Sequence, residues 1–149
     1  MNLIQVFDIA GSGMSAQSLR LNTTASNMAN ANSASSSVEQ TYRARHPVFA
    51  QQLSEAMAFE PSVRGQASTG VRVAAIVEDS RPLEARFEPG NPMANEEGYV
   101  YYPNVNVVEE MSNMIEASRA FEMNVNIMQS ARTMICLLYT SPSPRDRTR

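Results

Sequence analysis

Cysteine, histidine and lysine are almost or wholly missing from this chain of 149 residues, and each absence removes a class of function. The single cysteine, Cys136, permits no disulfide within the chain, so redox chemistry does not reveal the compartment. With one histidine, His46, beside that one cysteine, a zinc site of the Cys and His type cannot be assembled within one chain. All twelve basic residues are arginines, and they are scattered along a chain of net charge −3. Binding to phosphates needs positive charge concentrated on one face, so nucleic acid is not an expected partner. No stretch approaches the roughly 18 consecutive apolar residues of a membrane span. The opening "MNLIQVFDIAGSG" lacks a basic leader, and Gln5 and Asp8 interrupt its apolar run, so it is not a standard secretory signal. The expectation is a soluble chain with no membrane span, leaving the cytoplasm by a route that needs no cleaved signal.

Catalytic groupings are absent too. His46 stands alone before Pro47, with neither a nucleophile nor a second ligand nearby, and reads as structural. No nucleophile elbow of G-x-S-x-G form occurs. "GSG" at 11–13 is too short for a phosphate loop and follows no strand, so it reads as a bend or a close helix contact. Glu96 and Glu97 are adjacent carboxylates in a turn, a solvated arrangement. These readings point to no enzyme, no cofactor and no metal.

Charge is also missing locally. In "SLRLNTTASNMANANSASSS" (18–37), Leu19, Leu21, Ala25, Met28 and Ala29 are spaced like one face of a helix, yet Arg20 is the only charge between Ile9 and Val38. Phe7, Met14, Leu21 and Met28 recur every seventh residue, flanked by Leu3, Ala10 and Ala25, with Gln17 and Thr24 as weak points. The pattern predicts a helix from about Leu3 to Ala31. Its Gly, Ser, Thr and Asn content gives poor helix propensity, so the segment alone should be marginal.

The other end carries a matching pattern. Val107, Met114, Phe121, Met128 and Ile135 recur every seventh residue, with Met111 and Val125 between them. Asn106 and Glu109 have the spacing of a capping box, and Glu109 and Glu110 suit the positive end of the helix dipole, as Arg132 suits the other end. Glu116 and Arg119 are spaced as a surface pair. The Met-rich stripe (Met111, Met114, Met123, Met128, Met134) reads as core, and that core could be shared between molecules.

Between the helices, "GVRVAAIVE" (70–78) and "LEARFE" (83–88) alternate as strands, joined by a turn at "DSRP"; "EPGNP" (88–92) is a second turn and "GYVYYP" (98–103) a third strand. Residues 50–69 read as loop with a short helix. The expected fold is α+β: long N- and C-terminal helices packing as a coiled-coil-like pair around a small β-rich central insert. The expected divisions are 1–35, 36–104, 105–135 and a tail, 136–149.

Two stretches carry a resemblance. "SGMSAQSLRLNTTASNMANANS" (12–33) resembles the N-terminal signature of the axial proteins of the bacterial flagellum, in Arg20, Leu21, Ala25, Asn27, Met28, Ala29, Asn30 and Asn32. "YPNVNVVEEMSNMIEASRAFEMNVNIM" (102–128) is similar to the C-terminal signature of the same family, in Pro103, Asn104, Val105, Glu110, Met111, Arg119, Phe121, Glu122 and Asn124. The short insert, with "FEPGNPMANEEGYVYYPNVNVVEEM", resembles the basal-body rod members of proximal type, although Asn91 stands where a histidine is expected. After Ile135 the chain departs from that pattern: "CLLYTSPSPRDRTR" sets Arg145, Arg147 and Arg149 against Asp146, and Pro142 and Pro144 end any helix. The tail 136–149 is therefore expected to be non-native.

The resemblance implies export through the flagellar type III apparatus without signal cleavage. It also implies helical polymerisation with copies of itself and with other rod subunits into the rod, the drive shaft crossing the periplasm between motor and hook. The terminal helices would pack against each other and against neighbours. A helix surrounded in this way cannot leave charges unpaired, because burying an unpaired charge costs several kcal/mol, on the order of 3–5. That would explain an amphipathic helix written in Asn, Ser and Thr. The implied assembly surface is Phe7, Met14, Leu21 and Met28 at one end and Val107, Met111, Met114, Phe121, Val125 and Met128 at the other, with Asn27, Asn30 and Asn32 bonding between chains. Two alternatives are a different flagellar axial protein and a stand-alone coiled-coil adaptor; an adaptor would call for charged flanking positions.

Overall fold

The computed structural model describes residues 3–52 and 70–140. In chain order the elements are α1 (Leu3–Asn30), β1 (Arg45–Gln52), β2 (Gly70–Glu78), β3 (Glu84–Phe87), β4 (Tyr99–Tyr102) and α2 (Val107–Thr140). The two helices and two small antiparallel sheets make an α+β arrangement. Both helices fall where their seven-residue repeats place them.

The start of α2 is set by Asn106. Its Oδ1 accepts the backbone N–H groups of Val108 (3.1 Å) and Glu109 (3.4 Å), and its own carbonyl accepts the N–H of Glu110 (3.0 Å). Two otherwise orphaned donors of the first turn are thereby satisfied. The capping box is only half formed, because the Glu109 carboxylate turns towards Arg81, 3.7 Å away. The helix runs on to Thr140, just short of Pro142.

The strands pair differently from the sequence pattern. "DSRP" does not close a hairpin between β2 and β3. Instead β2 pairs with β1, from Arg45 opposite Glu78 to Gln52 opposite Gly70, with a bulge between Val48 and Phe49. β3 pairs with β4, from Glu84 opposite Tyr102 to Phe87 opposite Tyr99. The reason lies in the carbonyls of Asp79 and Arg81. Asn104 Nδ2 donates to both (3.4 and 3.0 Å) and so does Arg43 Nη1 (3.3 and 3.4 Å), which makes 79–82 a corner between two ribbons. Residues 50–52, expected as loop, complete β1; the rest of that expectation, 53–69, lies outside the described residues. Pro47 conceals β1 from sequence reading, since proline cannot donate to a ladder, but in a two-stranded ribbon every strand is an edge.

The core is thin. Among the described residues the buried apolar side chains are Ala10, Ala16, Ala31, Ala44, Ala117 and Ala131, with Val100 and Pro103 the larger ones. Val100 lies on β4, beneath the bridge that joins Ser35 to Tyr101. Leu83, Ala85 and Phe87 alternate as predicted, yet no side of β3 is buried, and Phe87 is 64% exposed.

Candidate assembly surfaces

α1 and α2 run antiparallel and make the most extensive contact between elements. Three points fix their register: Gly13 lies against Asn124, Arg20 reaches Asn113 and Glu116, and Asn27 reaches Glu110. At Gly13 a Cβ would come within 3.0 Å of Asn124 Nδ2, so "GSG" marks a close helix contact. Arg20, the lone charge of its stretch, donates to Asn113 Oδ1 (3.0 Å) and Glu116 Oε2 (3.2 Å). Glu116 thus pairs across the helices and not with Arg119 on its own helix.

Burial along the helices follows a second seven-residue row, offset by three from the large apolar one. On α1 it holds Ala10 and Thr24, with Ala31 just past the helix end; on α2 it holds Glu110, Ala117 and Ala131, all at most 9% exposed. The positions read as weak, Gln17 and Thr24, belong to this row, and Gln17 Oε1 is buried without a hydrogen-bond partner. Phe7, Met14, Leu21 and Met28 on α1, and Met114, Phe121, Val125 and Met128 on α2, are half-buried beside it. Small residues at the centre let the backbones approach closely while leaving the larger side chains at the margins.

The three asparagines separate. Asn27 is fully buried and spends every hydrogen-bonding group inside the chain. Its Nδ2 donates to the Arg45 carbonyl (2.9 Å) and to Glu110 Oε2 (3.1 Å). Its Oδ1 accepts the Tyr42 hydroxyl (2.8 Å) and the Arg45 backbone N–H (3.0 Å). The expectation that Asn27 bonds between chains is corrected accordingly: two donors and two acceptor sites are all an amide has. Asn30 donates back to the Ser26 carbonyl (2.8 Å), and Asn32 is exposed.

Around Asn27, burial pushes the Tyr42 hydroxyl pKa above its ordinary value of 10.0; Arg45, 5.5 Å over the ring, opposes the shift, and the Glu110 and Glu78 carboxylates reinforce it. At the 79–82 corner, the backbone N–H and then the guanidinium of Arg81 hold the Asp79 carboxyl below its ordinary 3.8. Sequence reading took Glu110 for a helix-dipole partner. Its position in register with Ala117 and Ala131 was the available sign that it faces inward. Tyr42, Arg43 and Arg45 lie far from any helical pattern and left no such sign.

α2 also leaves large apolar side chains exposed. Val108 is 76% exposed, Met111 54%, Ile115 53%, Met123 63% and Met134 59%. Val107 is 42% exposed. Among the described residues no cluster of three or more His, Cys, Asp or Glu side chains is placed to hold a metal, and no helix is long and apolar enough to cross a membrane.

Comparison with known proteins decides what these surfaces belong to. Residues 7–34 match the family described as flagella basal body rod protein, and residues 96–135 match the flagellar basal body rod FlgEFG protein C-terminal family. The chain is 47% identical over 135 residues to the flagellar basal-body rod protein FlgC of Yersinia enterocolitica, covering 91% of this chain and 94% of that one. It is 44% identical over the same shares to the FlgC protein of Salmonella typhimurium. The chain belongs to the FlgC family of flagellar basal-body rod proteins. The FlgC protein of Borreliella burgdorferi is 34% identical over 142 residues, 90% of this chain and 93% of that one. As a member of the FlgC family, this chain is a structural subunit of the basal-body rod and not an enzyme. The signature asparagines 27 and 104, recognised first by resemblance, prove to be the internal fasteners of the subunit.

Proposed function

We propose that this FlgC-family subunit polymerises helically, with copies of itself and with other rod subunits, into the periplasm-spanning drive shaft. Its two terminal helices, packing as a coiled-coil-like pair, form the layer shared with neighbours, and it reaches that site through the flagellar type III export apparatus without signal cleavage. One observation supports this reading: α2 leaves Val108, Met111, Ile115, Met123 and Met134 more than half exposed, while the buried apolar side chains of the described residues are mostly alanine. Head-to-tail contacts build open helical polymers and not closed rings. Phe7, Met14, Leu21, Met28, Val107, Met111, Met114, Phe121, Val125 and Met128 remain the proposed contacts, with Asn30 and Asn32 as the polar ones. The C-terminal family match stops at residue 135, which supports reading 136–149 as foreign to the rod subunit; an uninterrupted native reading frame in the genomic DNA across codon 135 would refute this.

Ile115→Glu tests the assembly reading, because it places a charge on α2 at a side chain that is already 53% exposed. The expected result is a folded, soluble subunit in cells that build no rod and do not swim. Swimming cells would overturn the proposal.

A further inference from the structure

The two ribbons are supported differently. β1–β2 lies against α1, whereas among the described residues β3–β4 packs against no other helix or strand and is joined to the rest of the subunit by the Ser35–Tyr101 bridge. A two-stranded ribbon standing alone is marginal and calls for a neighbour. The loop that closes it, 88–98, is tightly knit: the Glu88 N–H donates to the Gly98 carbonyl (2.9 Å), and the Gly98 N–H to the Asn95 carbonyl (2.9 Å). It carries Glu88, Glu96 and Glu97 and no basic residue. Glu88 is engaged by the Asn91 amide (3.0 Å) and the Tyr102 hydroxyl (3.4 Å). Glu96 and Glu97 are exposed, and their carboxylates meet no partner among the described residues.

A cavity of about 340 Å³ opens between β1 and the two helices. Arg20, Arg45 and His46 line it with Pro47, Phe49 and Asn113, and no acidic side chain among the described residues does. Arg20 donates to Asn113 and Glu116 through Nη2 alone, and Arg45 donates to Glu78 through Nε and Nη2, so each guanidinium keeps Nη1 to give. The paired acids, Glu116 and Glu78, stand outside the cavity at 69% and 54% exposure, and exposed pairs of that kind hold weakly. His46 Nε2 lies 3.7 Å from Asp79, which Arg81 already holds.

We propose that this cavity receives the Glu96–Glu97 turn of a second copy of the chain, with the carboxylates set against Arg20, Arg45 and His46. An acidic, unsupported ribbon and a basic cavity without acids are complementary in charge, which selects the partner and fixes its register. None of 88–98 lines the cavity of its own chain, so the turn that fills it comes from a neighbour. Turn and cavity are different surfaces of one subunit, so the contact is head-to-tail and repeats along an open polymer. This inference rests on the head-to-tail reading of assembly.

The test is made with the full chain, in cells that hold no other copy of it. Glu96→Arg together with Glu97→Arg reverses the charge of an exposed turn. Circular dichroism of the purified chain should be unchanged, while swimming falls about tenfold because like charges then meet at the cavity. Unchanged swimming would overturn the proposal. The contact itself is read with Val48→Cys, beside the cavity, and Met93→Cys, in the turn, both 45% exposed as Val and Met, in a Cys136→Ser chain treated in whole cells with a short bis-maleimide. Swimming cells should yield a ladder of linked copies on a denaturing gel, and either cysteine alone should yield none. Swimming cells without a ladder, or a product that links the turn to a different rod subunit, would refute the inference. If the double Arg cells swim while Ile115→Glu cells do not, the cavity contact fails and the assembly reading stands; if both swim, the assembly reading fails as well.

Discussion

Asn27 shows how much one side chain can fasten. Removing its amide strands the Glu110 carboxylate, the Tyr42 hydroxyl and both backbone groups of Arg45 at one nearly dry point. Buried groups left without partners cost about 1–3 kcal/mol each, so Asn27→Ala should destabilise the subunit by about 3 kcal/mol in urea denaturation. Tyr42→Phe removes a single bond and should cost about 1 kcal/mol at neutral pH. It should also alter the alkaline limb. The raised pKa means the folded chain holds the Tyr42 proton more tightly than the unfolded chain does, so the contribution is complete below pH 10.0 and is lost as the pH climbs past it. In Tyr42→Phe that loss should be absent, which melting curves between neutral and strongly alkaline pH would show. Asp79 acts in the opposite sense: its lowered pKa gives a contribution present above 3.8 and lost on acidification below it.

At the scale of the element, α2 is the best specified part of the chain because its cap and its repeat agree. Asn106→Ala leaves the N–H groups of Val108 and Glu109 without their acceptor and should cost about 1 kcal/mol, read as a lowered melting temperature. α1 is different, since small and polar residues weaken it as an isolated helix. Its order comes from what it touches: α2 along one side, and β2 through Ser12, whose Oγ accepts the Val71 N–H (3.1 Å). The β1–β2 ribbon leaves Val48, Ile76 and Val77 at 45–50% exposure. A ribbon of two strands is marginal by itself and needs a helix or a neighbour to rest on.

The described residues bury mostly alanines, and alanine removes little apolar area from water. That fits the proposed assembly, in which a subunit gains stability from its neighbours. The proposed reading expects a monomer at micromolar concentration, which sedimentation would show. A discrete dimer would favour the adaptor alternative. Leu21→Asp, at a half-buried position beside the inter-helix row, should abolish rod assembly with little effect on the solubility of the monomer. Motile cells carrying it would count against the assembly role of Leu21.

Sequence alone determined the two terminal helices, the capping by Asn106 and the family, because each depends on local chemistry or on a repeat written in consecutive residues; at Gly13 it left a bend and a close helix contact open. It did not determine which strands pair or which row of each helix is buried. Strand partners were set by Asn104 and Arg43 claiming the carbonyls of Asp79 and Arg81, contacts between residues far apart in the chain. The buried row was set by how closely two backbones approach, which favours Ala and Thr at the centre and moves Phe, Leu and Met to the margins. A hydrophobicity pattern ranks the larger residues first and so points to the wrong row. Asn27 passed from a bond between chains to a bond within one for the same reason: only the folded chain shows that Tyr42, Arg45 and Glu110 already surround it.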